Sequence, residues 1–321
     1  MKNTNSDIAP KPVKPRALQR QFSYGDLIWL DFTHPTSEEL YYLKQRFDFH
    51  PLHLEDVRSR IQRPKIDDHD DPEYVFLVLH FPVFNEQTRL SITGEVDIFV
   101  SRNFVVTTHD TRLRPLVDLL QTAENEKVRA QLMNRGSGFL LYRIIDTIEQ
   151  SCFPMLYKLD EKLDVLEEGI FERDLQDTVQ ELSYLRRDVI SMRRIIRPNM
   201  VVMRSLEARE RPYLHLDEDV YFGDLVDGLA RIWDMLEEHK EIVEGLDATV
   251  FSLASHRINR EMKVFTLISI IFLPMTLIAS IGGMNFHLPA QDEPLAFWGI
   301  MLSMSIIAGA MFWIFRRKRW I

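Results

Sequence analysis

Several groups of side chains in this sequence could act on cations. The largest is a run of carboxylates, Asp217, Glu218, Asp219, Asp224, Asp227, Asp234, Glu237, Glu238, Glu241, Glu244 and Asp247, set against only Arg231 and Lys240. Such an imbalance is the usual mark of a solvated helix face, but stacked carboxylates repel one another unless cations reside nearby. Their hard oxygens suit Mg²⁺. A second group is the hydroxyls Thr266, Ser269, Thr276 and Ser280, spaced through an otherwise apolar run where they could line an aqueous path. Histidines are scattered. His239 interrupts an apolar stripe and reads as a register-setting polar residue rather than a metal ligand. His50 and His53 flank Pro51 where a loop turns into a helix, which favours a structural role over zinc. The run Asp67, Asp68, His69, Asp70, Asp71 resembles an acidic turn and lacks the glycine and closing glutamate of a calcium loop.

Enzyme chemistry has little support. No phosphate-cradling glycine loop, HExxH pair or GxSxG elbow occurs, and no organic cofactor is expected. The chain carries 39 Lys and Arg against 48 Asp and Glu, a net charge of −9, which has the wrong sign for nucleic acid. Cys152 is the sole cysteine, so no intrachain disulfide can form, and it reads as a small buried hydrophobe.

The elements that must position these groups divide the 321 residues sharply. Residues 264–281 (VFTLISIIFLPMTLIASI) and 295–315 (LAFWGIMLSMSIIAGAMFWIF) carry no charge, and each is long enough to cross a bilayer as a helix of about 20 residues. Pro274 within the first is tolerated in a membrane helix. Arg257, Arg260 and Lys263 precede the first span, and Arg316, Arg317, Lys318 and Arg319 follow the second. The connecting loop GGMNFHLPAQDEP has neither Lys nor Arg but holds Asp292 and Glu293. The positive-inside rule then puts both termini in the cytoplasm. Two helices cannot enclose a water-filled path, so conduction needs several copies around an axis. The hydroxyl-bearing first span is the better pore-lining candidate.

Upstream, Leu225, Leu229, Ile232, Leu236, His239, Val243, Leu246, Val250 and Leu253 recur in steps of four and three, a seam that predicts one long helix running into the first span. Residues 138–211 predict a helical hairpin packed against it. Before that block, WLDF, YVFLVLHFPVF, EVDIFV and NFVVTTHD predict strands of a small α/β domain. No internal repeat is evident, and the polar start of the chain, with Pro10, Pro12 and Pro15, has no apolar core of the kind a signal peptide needs. The expected layout is a disordered tail over 1–21, an α/β domain over 22–130, a helical hairpin block over 131–211 and a stalk helix over 212–263. The first span then occupies 264–282, an external loop 283–294, the second span 295–315 and a basic tail 316–321.

Gly283-Met284-Asn285 at the outer end of the first of two C-terminal spans, with the RRKRW tail, resembles the CorA family of magnesium channels. HPLHLEDVRSRIQRPK, YFGDLVDG and MKVFTLISIIFLPMTLIASIGGMNF look like segments of that family in the same order, so the resemblance covers about residues 22–321. It implies an α+β cytoplasmic domain, a long-helix stalk and two transmembrane helices, assembled as a funnel-shaped homopentamer in a bacterial inner membrane. It also implies transport of hydrated Mg²⁺, and of Co²⁺ and Ni²⁺. Gly283, Met284 and Asn285 would form the selectivity filter, where carboxamide oxygens can accept hydrogen bonds from a hydrated ion without stripping it. Thr276 and Ser280 would line the pore, Leu273 and Met262 would constrict it, and Asn259 would ring the cytoplasmic mouth. Asp56 and Asp224 match carboxylates that bind regulatory Mg²⁺ between subunits, and Arg316, Arg317, Lys318 and Arg319 would form a basic collar. This chain departs from the family at Gly282, where an aromatic is usual, and in HLPAQDEP, which replaces the usual MPEL; His287 there could favour softer metals. The alternatives are a proton-coupled zinc transporter similar to ZntB, whose signature looks more like GVN or GIN, and a membrane-tethered Mg²⁺ sensor that does not conduct.

Overall fold

A computed structural model describes residues 18–59, 62–214, 218–283, 294–318 and 320. The chain forms two compact units, Met1–Asp247 and Ala248–Ile321.

The first unit is built on a six-stranded sheet. Its strands are β1 (Leu18–Tyr24), β2 (Leu27–Thr33), β3 (Lys65–Asp70), β4 (Glu73–Asn85), β5 (Leu90–Val100) and β6 (Phe104–His109), in the order β1-β2-β6-β5-β4-β3. Only β2 and β6 run parallel; every other pair is antiparallel. Alternate residues of β4 serve two cores. Tyr74, Phe76 and Val78 join Leu40, Leu43, Leu54 and Val57 of helices α1 (Ser37–Phe47) and α2 (Pro51–Ser59). Val75, Leu77 and Leu79 are fully buried on the opposite face. A strand covered on both faces has no polar side to alternate with, which is why β4 reads as a continuous apolar run.

Both sheet edges depart from the sequence-based reading. The expected tail over 1–21 overlaps β1, which begins at Leu18 and pairs with β2 from Leu18↔Phe32 to Tyr24↔Leu27; residues 1–17 lie outside the described residues. The expected acidic turn at 67–71 is instead mostly strand. Lys65–Asp70 pairs with β4 as an edge, and charged side chains on an edge keep it from pairing with other chains. Pro82 follows from the same topology. Strand β3 reaches only to Val78, so beyond it one side of β4 has no strand partner and a missing N–H costs no ladder bond.

Among the described residues, seven further α-helices follow β6. Helix α3 (Arg114–Thr122), α4 (Glu126–Met133), α5 (Ser137–Gln150) and α6 (Cys152–Gly169) lead to α7 (Leu175–Ala208), which turns back along α6 and across β3, β4 and β5. Polar side chains tie α7 to the sheet backbone. The Asn199 amide faces both backbone groups of His80, its Oδ1 accepting the N–H at 3.1 Å and its Nδ2 donating to the carbonyl, where β3 has ended. Asp188 accepts the Ser91 N–H at 2.6 Å, and the Ser191 hydroxyl donates to the Ser91 carbonyl at 2.6 Å. Arg211, just beyond α7, is buried and donates to Asp68 of β3 at 2.8 Å.

A single helix, α8 (Glu218–Gly282), supplies residues to both units. It starts later than the expected stalk. Pro212–Leu214 form a 3₁₀ turn, and 215–217, which include Asp217, lie outside the described residues. In the first unit the seam Leu225, Leu229, Ile232, Leu236, His239, Val243 and Leu246 is buried. Neighbouring positions touch α5 through Asp224 and Gly228, α6 through Arg231 over Phe153, and α7 through Glu237 with Arg193 and Asp247 with Arg186. The stripe is therefore filled within one chain. Helix α9 (Pro294–Arg317) closes the chain and carries Arg316 and Arg317 in its last turn.

Glu149 of α5 lies buried where α5 meets α8, and its Oε2 has no hydrogen-bond partner among the described residues. Burial raises its pKa from 4.5 to about 9, with Asp146 and Asp224 adding to the effect, so the side chain is neutral at pH 7. A folded pKa above the unfolded one means that stability falls as pH rises from about 4.5 to about 9. Glu149→Gln should therefore raise the melting temperature of the full-length protein in detergent at pH 8.5, with the gain shrinking toward pH 5. Gly228 exists to admit this side chain: a Cβ there would lie 1.7 Å from Glu149 Oε1. Gly228→Ala should cost about 1–3 kcal/mol, and Glu149→Ala on that background should restore most of the loss in chemical denaturation.

Candidate ion pathway and cation-sensing residues

In the second unit, α8 and α9 carry stretches long and apolar enough to cross a membrane, almost none of which is buried within the protein. Apolar surface left uncovered on this scale calls for lipid or for further protein. A continuous helix satisfies its own backbone there, and α8 passes through Pro274 without a break.

At 3.6 residues per turn, Asn259, Met262, Leu273, Thr276 and Ser280 fall within an arc of about 100° on α8. All five are exposed in the protomer. Thr266 and Ser269 share the arc. The buried Leu267 lies about 130° round the helix from its centre, and a Cβ at Gly282 would sit 3.5 Å from Ile300 of α9, so a different side of α8 meets its neighbour. Three hydroxyls on the arc share one geometry. Thr266 donates to the Met262 carbonyl at 2.8 Å, Ser269 to Phe265 at 2.9 Å and Thr276 to Phe272 at 2.8 Å. Their protons are spent on the helix, so each oxygen turns lone pairs outward. A surface of acceptors receives the water protons of a hydrated cation and gives nothing to an anion.

Gly283 follows the helix, its N–H donating to the Ala279 carbonyl at 3.0 Å. Met284, Asn285, His287, Asp292 and Glu293 lie outside the described residues, as does Arg319. Arg316, Arg317 and Lys318 are exposed at the end of the second unit, with the Arg317 guanidinium 5.3 Å from the Trp313 ring centroid.

The two carboxylates expected to sense cytoplasmic cations sit in different surroundings within the first unit. Asp56, on the C-terminal half of α2, is only 15% exposed and makes an ion pair of 2.7 Å with Lys65, the first residue of β3. The same ammonium lies 2.7 Å from Asp67. Burial alone would lower the Lys65 pKa, but the hydrogen bonds to Asp56 and Asp67 outweigh it and the pKa is raised. Asp224, in the second turn of α8, is exposed and accepts the Tyr142 hydroxyl of α5 at 2.9 Å. Both partners were missed from sequence. Lys65 stands nine residues from Asp56, and Tyr142 lies 82 residues from Asp224, separations at which no local rule pairs them.

His50, His53 and His239 each have local structural partners. His50 caps α2, its Nδ1 accepting the Leu52 N–H at 3.2 Å. His53 stacks on Phe76 at 4.7 Å and its Nδ1 lies 2.9 Å from the Tyr74 hydroxyl; burial pulls its pKa down to about 4 against the pull of Asp67. Among the described residues no group of three or more His, Cys, Asp or Glu is arranged to hold a metal ion. His239 is buried in the seam with Nε2 3.3 Å from Asp160 of α6, while its Nδ1 has no hydrogen-bond partner among the described residues. Burial lowers its pKa below 6.5 despite Asp160, so the folded state resists protonation and stability is lost as pH falls through about 6.5. His239→Leu should leave cation transport unchanged. It should also raise the melting temperature of the full-length protein by about 2–4 °C at pH 5.5 and by less at pH 7.5. A loss of transport would make His239 a ligand.

Two helices long and apolar enough to span a membrane, with a hydroxyl-bearing face on the first, have the architecture of a membrane transporter, and the comparisons with known proteins give its class. The chain matches the family model described as CorA-like Mg²⁺ transporter protein over residues 24–317. It is 32% identical over 282 residues to the cobalt/magnesium transport protein CorA of Thermotoga maritima, covering 86% of this chain and 78% of that protein. The solved structure of the CorA magnesium transporter from Methanocaldococcus jannaschii superposes with a TM-score of 0.80 at 26% identity, covering 94% of each chain. The zinc transport protein ZntB of Pectobacterium atrosepticum is more distant, 22% identical over 83% of this chain and 78% of its own length. The protein belongs to the CorA family of divalent metal ion transporters.

Proposed function

We propose that this chain assembles as a homo-oligomer, a pentamer by family resemblance, around an axis lined by α8, and conducts hydrated Mg²⁺, with Co²⁺ and Ni²⁺ as further substrates. The observation that carries this reading is the exposed arc from Asn259 to Ser280, on which the Thr266, Ser269 and Thr276 hydroxyls donate to their own helix and face outward as acceptors. Mg²⁺ sheds water reluctantly, and neutral acceptors can hold its hydration shell while releasing it quickly. Gly283, Met284 and Asn285 are assigned to the outer filter, where Gly283 would let the backbone approach the axis and Asn285 would accept hydrogen bonds from the hydrated ion. Met262 and Leu273, both bulky and exposed, would form the hydrophobic constriction.

In this reading both termini are cytoplasmic, in a bacterial inner membrane, and Arg316–Arg319 anchor the inner face. Asp56 and Asp224 bind cytoplasmic Mg²⁺ between neighbouring copies. The chemistry of the pair supports that assignment: both offer only hard carboxylate oxygens, which fit Mg²⁺. Bound Mg²⁺ would screen facing carboxylates and favour the closed arrangement, which requires that it bind that arrangement more tightly.

The test is metal uptake into proteoliposomes, with Mg²⁺, Co²⁺ and Zn²⁺ in parallel and with or without a pH gradient. The expected result is Mg²⁺ flux that ignores the gradient and falls at least about tenfold in Asn285→Ala. Zinc-preferring, gradient-dependent flux would replace the channel by a proton-coupled zinc transporter, and absence of any flux would leave a sensor.

A further inference from the structure

Asp56 is already neutralised from within its own chain. The Lys65 ammonium lies 2.7 Å from Asp56 Oδ2 and 2.7 Å from Asp67 Oδ2, and 5.3 Å from the centroid of the Phe76 ring beneath it. Two consequences follow from the chemistry. An ammonium and a divalent cation on one carboxylate repel each other at these distances, so each weakens the other's hold on Asp56. The exchange, however, is inexpensive for Lys65: on releasing Asp56 it keeps Asp67 and the face of Phe76, so no buried charge is stranded.

We propose that Lys65 is a tethered competitor for the regulatory cation: it occupies Asp56 when cytoplasmic Mg²⁺ is scarce and retreats to Asp67 when Mg²⁺ binds. The proposal rests on the assignment of Asp56 as a Mg²⁺-sensing carboxylate and adds to it the element that sets the sensing threshold. Without Lys65 the pair Asp56 and Asp67 would bind cations more tightly and hold the protein in its Mg²⁺-bound form at concentrations too low to report sufficiency. A lysine on an edge strand is suited to this work, since its ammonium hangs on four flexible methylenes and is one-third exposed. Asp67, more exposed than Asp56, is the natural resting place.

The experiment is a Mg²⁺ titration of the full-length protein in detergent, read as protection from limited proteolysis and, independently, as heat of Mg²⁺ binding. Lys65→Met keeps the apolar contact with Phe76 and should lower the half-protection concentration about tenfold relative to wild type. Lys65→Gln should shift it in the same direction and serves if the Met variant does not fold. The shift should persist at about 0.5 M monovalent salt, where the Debye length is about 4 Å, because the competition is at contact. Arg58→Gln, which removes a charge from the same helix, should shift the midpoint less and lose its effect in salt. Asp56→Asn should abolish the response. If Asp56→Asn abolishes protection while Lys65→Met leaves the midpoint unchanged or raises it, the competitor is overturned and the sensing site stands. If Asp56→Asn leaves protection intact, the sensing assignment fails and the competitor with it.

Discussion

Helix α8 meets one constraint in two solvents, and the rest of the structure depends on it. A polypeptide must satisfy its backbone hydrogen bonds wherever it goes, and in hydrocarbon only a helix can do so from within one segment. Along α8 the backbone solution is the same from Glu218 to Gly282, while the side-chain rule changes. Through Leu246 a narrow apolar stripe is buried and carboxylates occupy the outer faces. In the second unit the apolar residues run all round the helix and almost none are covered. The oxygen-bearing arc stands out against that background because hydroxyls are the only polar groups a membrane helix can carry cheaply, each returning its proton to the carbonyl four residues back.

In the first unit, apolar burial sets what packs together and polar contacts set the register. Helix α7 is long and not strongly one-sided, and four polar residues locate it on the sheet: Asp188, Ser191, Asn199 and Arg211. Three of them meet sheet backbone groups and Arg211 shares Asp68 with Arg209, so sliding α7 by one turn would strand several polar groups at once. Asn199 does this most economically, supplying to His80 the acceptor and donor that β3 would have supplied had it run further. The cost of buried polarity appears at Glu149 and His239, each with an unpartnered atom at the contacts of α8 and each held in its neutral form by burial.

Carboxylates in this protein divide by company. Those assigned to cation sensing already have partners, Asp56 an ammonium and Asp224 a phenol. Under that assignment an arriving cation would exchange one partner for another, and the partner's strength would enter the balance directly.

Sequence alone determined the features that follow from local physics. Two uncharged runs of sufficient length, a seam in steps of four and three, and the four apolar strand runs each encode a solvent or a period, and α8, α9, β2, β4, β5 and β6 carry them. The family resemblance extended this to about residues 22–321. Only the tertiary structure decided the edges and the pairings. KIDDHD has the composition of a turn, and becomes strand β3 because β4 offers it a ladder, with charge tolerated at an edge. The start of β1 is decided the same way, by β2. The apolar seam could have joined two copies or one chain to itself, and α5, α6 and α7 fill it because they are tethered beside it. Lys65 and Tyr142 were invisible as partners of Asp56 and Asp224 because a contact between side chains depends on where folded elements cross, and no spacing along the chain records that.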